Sequence, residues 1–155
     1  MRTGIGYDIH KLAHHRKLIL GGKLIPFEKG LLGHSDADVV VHAVCDALLG
    51  AAGLGDIGMH FPDTDPGYKD ICSLEFLAKI CNMLKNKGHR ICNIDLTVFA
   101  ERPKLSPYKA EMEANIARTA DIDKELVNVK ATTTEGLGVI GSGEGIAAMC
   151  IVLID

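Results

Sequence analysis

The stretch GYDIHKL, residues 6–12, sets Asp8 and His10 two positions apart in an apolar, strand-like opening. Side chains alternate faces along a strand, so this carboxylate and this imidazole share a face and can converge on one point. A metal ion is what such a pair is suited to hold, and two ligands need a third. His42 is the candidate. It lies in ADVVVHAVCDALLGAA, residues 37–52, where Asp38, His42 and Asp46 recur at i, i+4 and i+8 as one polar stripe on an apolar helix. A lone helical histidine is usually a satisfied core or surface residue, so the assignment rests on pairing His42 with Asp8 and His10. Two imidazoles and one carboxylate suit Zn²⁺, and three protein ligands leave one vertex open for a substrate oxygen. Asp46, one turn further on, either orients the His42 imidazole as an acceptor or is a plain surface carboxylate.

Other polar clusters are weaker signals taken singly. DIG (56–58), FPDTD (61–65) and TTTE (132–135) are turn compositions found in many proteins. Hydroxyls followed by a carboxylate at a strand end nevertheless suit phosphate oxygens together with a hard divalent cation such as Mg²⁺. GSGEG (141–145) lacks the GK[ST] ending and the strand-then-helix setting of a nucleotide P-loop. Spacing alone therefore leaves a metal site and candidate anion loops.

These side chains need elements to carry them. Residues 2–12 alternate as a strand, and LILGGKLIPF (18–27) is a second extended stretch with Gly21-Gly22 at a turn or bulge, suited to pair with the first. The segment KGLLGHSDAD leads into the buried helix of His42, capped by Ser35 or Asp36. Its valines lean toward strand, and its length decides for helix. Residues 53–70 form an irregular connection of the length at which loops usually bind substrate. A stripe of Ile71, Leu74, Leu77, Ile80 and Leu84 predicts an amphipathic helix over 70–87, with Asp70 as N-cap and Gly88 as C-cap. ICNIDLTVFAE (91–101) returns to strand, and SPYKAEMEANIARTA (106–120) predicts a third helix with Pro107 following a Ser106 cap. ELVNVKATTTE is a strand running into the threonine cluster. The terminal IAAMCIVLID is apolar on both sides, as in a strand covered on both faces. The pattern predicts an α/β fold of the α+β sandwich type, with one predominantly four-stranded sheet, three main helices packed on it, and a single domain over 1–155.

Composition sets the outer bounds. With 155 residues, 47% of them hydrophobic and 24% charged, the chain can bury a core without disulfides. A formal net charge of -3 and the lack of any dense Lys/Arg block argue against nucleic acid or an anionic membrane as principal partner. The five cysteines, Cys45, Cys72, Cys81, Cys92 and Cys150, form no CxxC pair and read as reduced thiols, mostly small core residues. MRTGIGYD lacks an apolar signal region, and no run approaches the roughly 18 apolar residues of a membrane span. A cytoplasmic location is the expectation.

In order along the whole chain, GYDIHKL, GHSDADVVVHAVCDALLGAAGLGDIG, FPDTDP, ERPKLSP, KATTTEGLG and GEGIA resemble the 2-C-methyl-D-erythritol 2,4-cyclodiphosphate synthase family. The SDAD…H…DALLGA block is the most specific part. The resemblance implies a homotrimeric lyase of the non-mevalonate isoprenoid pathway, with active sites between adjacent subunits. Such enzymes convert 4-diphosphocytidyl-2-C-methyl-D-erythritol 2-phosphate into the cyclic diphosphate and CMP. Carried over by position, it implies zinc at Asp8, His10 and His42, and a second cation, Mg²⁺ or Mn²⁺, at Glu135. Catalytic roles fall to His34, which with Ser35 would meet the substrate phosphates beside zinc, and to Thr133 near the transferred phosphorus. Asp56, Ile57 and Gly58, with Phe61, Pro62, Asp63, Thr64 and Asp65, would hold the methylerythritol part. Ala100, Glu101, Arg102, Pro103, Lys104, Leu105 and Ser106, with Thr132, would form the cytidine pocket on the neighbouring subunit. Ile9, Thr134, Val139 and Ser142 complete the implied substrate-binding set.

Two departures from the family pattern bear on ligand binding. Where relatives commonly read GFTGRGEGIA this chain has GVIGSGEGIA, placing Val139 for an aromatic and Ser142 for arginine. The lost cation predicts weak binding of isoprenoid diphosphate in the cavity on the family's trimer axis, with the metal and cytidine motifs intact. Two other readings stand beside this one. A zinc hydrolase would need a carboxylate base, for which Asp38 or Asp56 is available in sequence. A metal-stabilised trimeric binding protein would use the metal for structure alone.

Overall fold

The computed structural model describes residues 1–155. The first strand, β1 (Arg2–His14), organises the rest. Its even positions face the first helix, α1 (Val39–Ala52), and two of them, Gly4 and Gly6, are glycines for a steric reason. A Cβ on Gly4 would lie 2.0 Å from the Ala47 carbonyl oxygen, and one on Gly6 2.0 Å from that of Ala43. The helix therefore lies directly on the strand backbone, closer than any side chain allows. One step along the same face come Asp8 and His10, opposite the helix's N-terminal turns and His42.

The remaining strands are β2 (Leu18–Leu20), β3 (Lys23–Ile25), β4 (Lys29–Leu31), β5 (Ile91–Phe99), β6 (Val127–Thr132) and β7 (Gly145–Ile154). The helices are α2 (Ile57–His60), α3 (Ser73–Asn86), α4 (Lys109–Ala120) and the single turn α5 (Gly138–Gly141). The main sheet has five strands in the order β4-β1-β7-β5-β6, one more than the sequence predicted, because the short β4 adds an edge beyond β1. It is mixed: β7 is antiparallel to both neighbours, and β5 and β6 run parallel. A parallel pair needs a long crossover, and α4 lies within it. The 18–27 stretch pairs with itself, not with β1, as the β2–β3 hairpin.

Several element ends differ from expectation. Asp38, not Ser35 or Asp36, caps α1, accepting from the Val40 and Val41 amides at 3.1 and 3.2 Å. Fully buried, it also accepts from the Gly21 and Gly22 amides at 2.9 and 2.6 Å, so four donors offset its burial. Both glycines have positive φ, which aims two consecutive amides at one carboxylate. The next long helix begins at Ser73 with Cys72 at its cap, because Asp70 is held in the left-handed region before it. Lys87 caps its end, and Gly88 follows with φ of +79°. The third begins at Lys109, two residues after Pro107.

The core fills one side of the sheet, where Val40, Val44, Leu48 and Leu49 of α1, Leu77, Ile80 and Leu84 of α3, and Met112 and Ile116 of α4 are buried against Leu96, Val98, Ile146, Ala148 and Val152. Full burial of such side chains stabilises by about 1.5–3 kcal/mol each. The opposite sheet face is open. Ile5, Tyr7, Ile9 and Ile151 are 65, 54, 42 and 48% exposed, so β7 is open on this side around Ile151, where its sequence pattern predicted cover, while Ala147 nearer its start is buried.

Candidate metal centre and substrate cavity

The strand–helix contact brings Asp8, His10 and His42 together as their spacing predicted. Ligand atoms of all three lie within 4.8 Å of one another. Asp8 Oδ2 stands 2.8 Å from His10 Nε2 and 3.0 Å from His42 Nδ1, and the two nitrogens are 3.3 Å apart. Ligands at about 2.0–2.2 Å from a tetrahedral zinc stand roughly 3.3–3.6 Å from each other, so the donor set needs only a slight outward shift to hold the ion.

The outer ring nitrogens decide which atoms are free for it. His10 Nδ1–H donates to the Leu32 carbonyl at 2.6 Å, leaving Nε2 for the metal. A Cβ on Gly33 would sit 3.0 Å from His10 Cε1, so glycine lets this loop close over the ring. His42 Nε2 faces the hydroxyls of Ser73 and Ser35 at 2.9 and 3.2 Å, leaving Nδ1 for the metal. Burial pushes the Asp8 carboxyl up, but the hydrogen bonds and charges of His10 and His42 outweigh it and hold Asp8 well below the usual carboxylate range. Burial lowers His10, and the bonds to Asp8 and Leu32 reverse this, leaving it above the ordinary imidazole value.

Asp46 does not orient His42. Its carboxylate accepts from the Ile57 amide at 2.8 Å and fixes the loop after α1. The histidine is oriented by Ser73 and Ser35. Ser73 went unrecognised because it is an ordinary first-turn serine in sequence, 31 positions from its imidazole partner.

A cavity of about 590 Å³ opens beside the cluster, lined by His10 and His42 and by His34, Ser35, Ile57, Gly58, Phe61, Pro62, Asp63 and Thr64 of the expected set, with Gly33, Tyr68 and Phe76 added. Asp56 caps α2 through the Met59 amide at 3.0 Å. Asp65 caps a turn over Pro66–Tyr68, and its carbonyl accepts from His34 Nε2–H at 3.1 Å. Phe61 stacks on Phe76 with centroids 4.6 Å apart, and Tyr68 meets both rings edge-on, so the 61–68 loop docks on α3 through aromatic contacts.

The rest of the expected set lies elsewhere on the chain. None of Ala100, Glu101, Arg102, Pro103, Lys104, Leu105 and Ser106 lines that cavity, nor do Thr132, Thr133, Thr134 and Glu135. These two segments leave β5 and β6 side by side, joined by the Ala100 amide to the Thr132 carbonyl at 3.0 Å. The Thr134 amide reaches Glu101 Oε2 at 3.4 Å, and the Thr133 hydroxyl donates to Glu135 Oε1 at 2.9 Å. Ile9 faces away from α1 and shares a smaller hollow with Val139. Ser142 donates to Glu144 Oε1 at 2.8 Å and lines another hollow with Lys29 and Arg102. No helix is long and apolar enough to cross a membrane.

The sequence profile of the YgbB family matches residues 1–155. The 2-C-methyl-D-erythritol 2,4-cyclodiphosphate synthase of Alkaliphilus oremlandii is 60% identical over 99% of this chain and 98% of its own length. A solved 2C-methyl-D-erythritol-2,4-cyclodiphosphate synthase in a CDP-bound form superposes with a TM-score of 0.91 at 37% identity, covering 99% of this chain and 100% of that one. The bifunctional IspDF of Campylobacter jejuni gives a TM-score of 0.95 at 46% identity, covering 99% of this chain and 42% of the longer one. Matched end to end in sequence and in fold, the chain belongs to the YgbB family.

Proposed function

We propose that the chain is a phosphorus–oxygen lyase of the non-mevalonate isoprenoid pathway. It cyclises 4-diphosphocytidyl-2-C-methyl-D-erythritol 2-phosphate to 2-C-methyl-D-erythritol 2,4-cyclodiphosphate and releases CMP. One observation carries this reading: three side chains able to ligate a metal converge beside a cavity lined by His34 and Ser35, in a chain 60% identical to a synthase of that name.

In the reaction an oxygen of the 2-phosphate bonds to the β-phosphorus, and the bond from that phosphorus to the oxygen it shares with the α-phosphate breaks. CMP leaves with the electron pair. The nucleophile needs no general base, because the second pKa of a phosphate monoester is about 6. What opposes reaction is bringing one anion onto another. Folding the substrate back on itself contributes as much as roughly 7–11 kcal/mol in systems of high effective molarity. Asp8, His10 and His42 would hold a zinc ion, which when bound would supply positive charge and Lewis acidity to a phosphate oxygen. His34 and Ser35 bind phosphate oxygens beside it, and Thr133, which like Thr132 lies outside the cavity of its own chain, reaches the transferred phosphorus from the neighbouring subunit. The 56–58 turn and the 61–65 loop enclose the methylerythritol part and exclude water. Glu135, on the same segment as Thr132, would hold a second divalent cation, Mg²⁺ or Mn²⁺.

The cytidine is bound by Ala100–Ser106 and Thr132 of a neighbouring subunit. The separation of those segments from the cavity supports this arrangement, as does the apolar open face of the sheet, where a second and third copy would pack. A hydrolase is disfavoured on the side of Asp38, which is fully buried under four amides and so unavailable as its base.

Phosphorus NMR of the product mixture tests the function. CMP with a cyclic diphosphate is expected, whereas a linear phosphate product would identify a hydrolase. His42→Ala should lose zinc and cyclisation together while still folding. Collapse of the fold on zinc removal would instead favour a structural metal.

A further inference from the structure

We infer that Ser73, held by Asp36, is the residue that positions His42 for metal binding, an assignment that rests on the metal-site reading above. Ser73 is fully buried at the start of α3, and its hydroxyl has a single proton to place. That proton goes to Asp36 Oδ1 in a short contact. The carboxylate is itself fixed by two amides, Ser73 N–H on Oδ2 at 3.0 Å and Asp38 N–H on Oδ1 at 3.2 Å. A carboxylate that accepts from three donors gives none back, so the direction of the chain is set. Ser73 Oγ is left to accept from His42 Nε2–H, 2.9 Å away.

The consequence falls on the other nitrogen. With Nε2 protonated, Nδ1 carries the lone pair, and it is Nδ1 that faces Asp8 and His10. Ser35 Oγ lies 3.2 Å from the same Nε2, but its proton is not committed to any carboxylate and it already accepts from the Ala37 amide at 3.2 Å. Ser35 is therefore neutral as to tautomer, and the Asp36–Ser73 pair decides it. The pair also ties the metal ligand to the substrate loop. The Asp36 amide donates to the Ile71 carbonyl at 3.0 Å and the Asp70 amide to the His34 carbonyl at 2.9 Å, so Ser73 sits where the loop ends and His42 begins to be held.

The test uses the whole chain, with zinc as the probe and two readouts besides turnover. One is the zinc dissociation constant by chelator competition. The other is the ring-nitrogen assignment of His42 in zinc-loaded protein labelled with ¹⁵N-histidine. Wild type should show a slowly exchanging Nε2–H with Nδ1 on the metal. Ser73→Ala should expose that proton to exchange and weaken zinc by roughly 10- to 100-fold, the usual cost of losing such a supporting partner. Ser73→Thr, which keeps the hydroxyl, should restore both. Turnover in Ser73→Ala should recover at saturating zinc with KM unchanged. If Ser73→Ala does not fold, the wild-type assignment and Ser73→Thr still decide the matter. Zinc bound through Nε2 in wild type overturns the proposal, and so does a Ser73→Ala chain with both readouts unchanged. Failure of wild type to take up zinc at all removes the metal-site reading first, and the positioning role with it.

Discussion

Asp8 and His10 titrate against each other when no metal lies between them, and their opposite shifts fix the sign of the pH dependence. The raised His10 contributes stability that is full below its ordinary 6.5 and lost as pH rises through the higher folded value. The lowered Asp8 contributes stability present above its ordinary 3.8 and lost as pH falls through its lower folded value. Zinc needs the His10 Nε2 lone pair that the proton occupies, so ion and proton compete, and uptake releases protons. Zinc affinity should therefore keep rising with pH beyond the ordinary imidazole value. Chelator competition between about pH 6 and 9 checks this, and an affinity already flat at 6.5 would contradict the Asp8–His10 pairing. Over the same window the metal-free chain should lose thermal stability with rising pH. The zinc-loaded chain should not.

At the scale of elements, the strand alternation that placed Asp8 beside His10 also runs backward through Gly6 and Gly4. Those two glycines do as much for the site as the ligands, because they let α1 descend until His42 meets the strand. In sequence the alternation discloses the chemistry of Asp8 and His10, but glycine carries no side chain to disclose the packing. Gly6→Ala puts a methyl 2.0 Å from a helix carbonyl, which no rotamer change relieves, so the helix must lift. The expected cost is at or above the roughly 1–3 kcal/mol of ordinary overpacking, with zinc weakened in parallel. Gly50→Ala is the control: it lies within α1, exposed, with nothing nearer than the Ile5 oxygen at 4.0 Å. There alanine should stabilise by about 0.5–1 kcal/mol. Thermal melts of both variants test the contrast. The same scale explains what sequence did not disclose. Asp38 resembled one of two acids of the His42 stripe until its four amide donors, two from a hairpin 16 and 17 positions away, identified it as a cap. Ser73 and Asp36 meet across 37 positions, and no local pattern announces such a pair. By contrast Asp8, His10 and His42 were legible because two regular periods, of strand and of helix, each exposed a ligand where an apolar residue belonged.

For the whole molecule the decisive feature is the sheet face without a cover. Ile5 stands directly across from Ile151, and Tyr7 from Met149, so the exposed apolar residues form one patch across the two central strands and not scattered singles. Ile151→Glu sets a second carboxylate across from Asp95 at the heart of that patch. If the patch joins three copies, the variant should elute near the single-chain mass of 16.6 kDa, where wild type elutes at three times that value. Its zinc affinity should stay near wild type, because Asp8, His10 and His42 all come from one chain and lie on the other side of the sheet. Turnover should fall by orders of magnitude, since Ala100–Ser106 is absent from the cavity of its own subunit. Light scattering, zinc competition and CMP release on the same sample separate these effects. A monomeric variant that keeps full activity would show each chain to be a complete enzyme and return the cytidine pocket to the subunit that holds the metal.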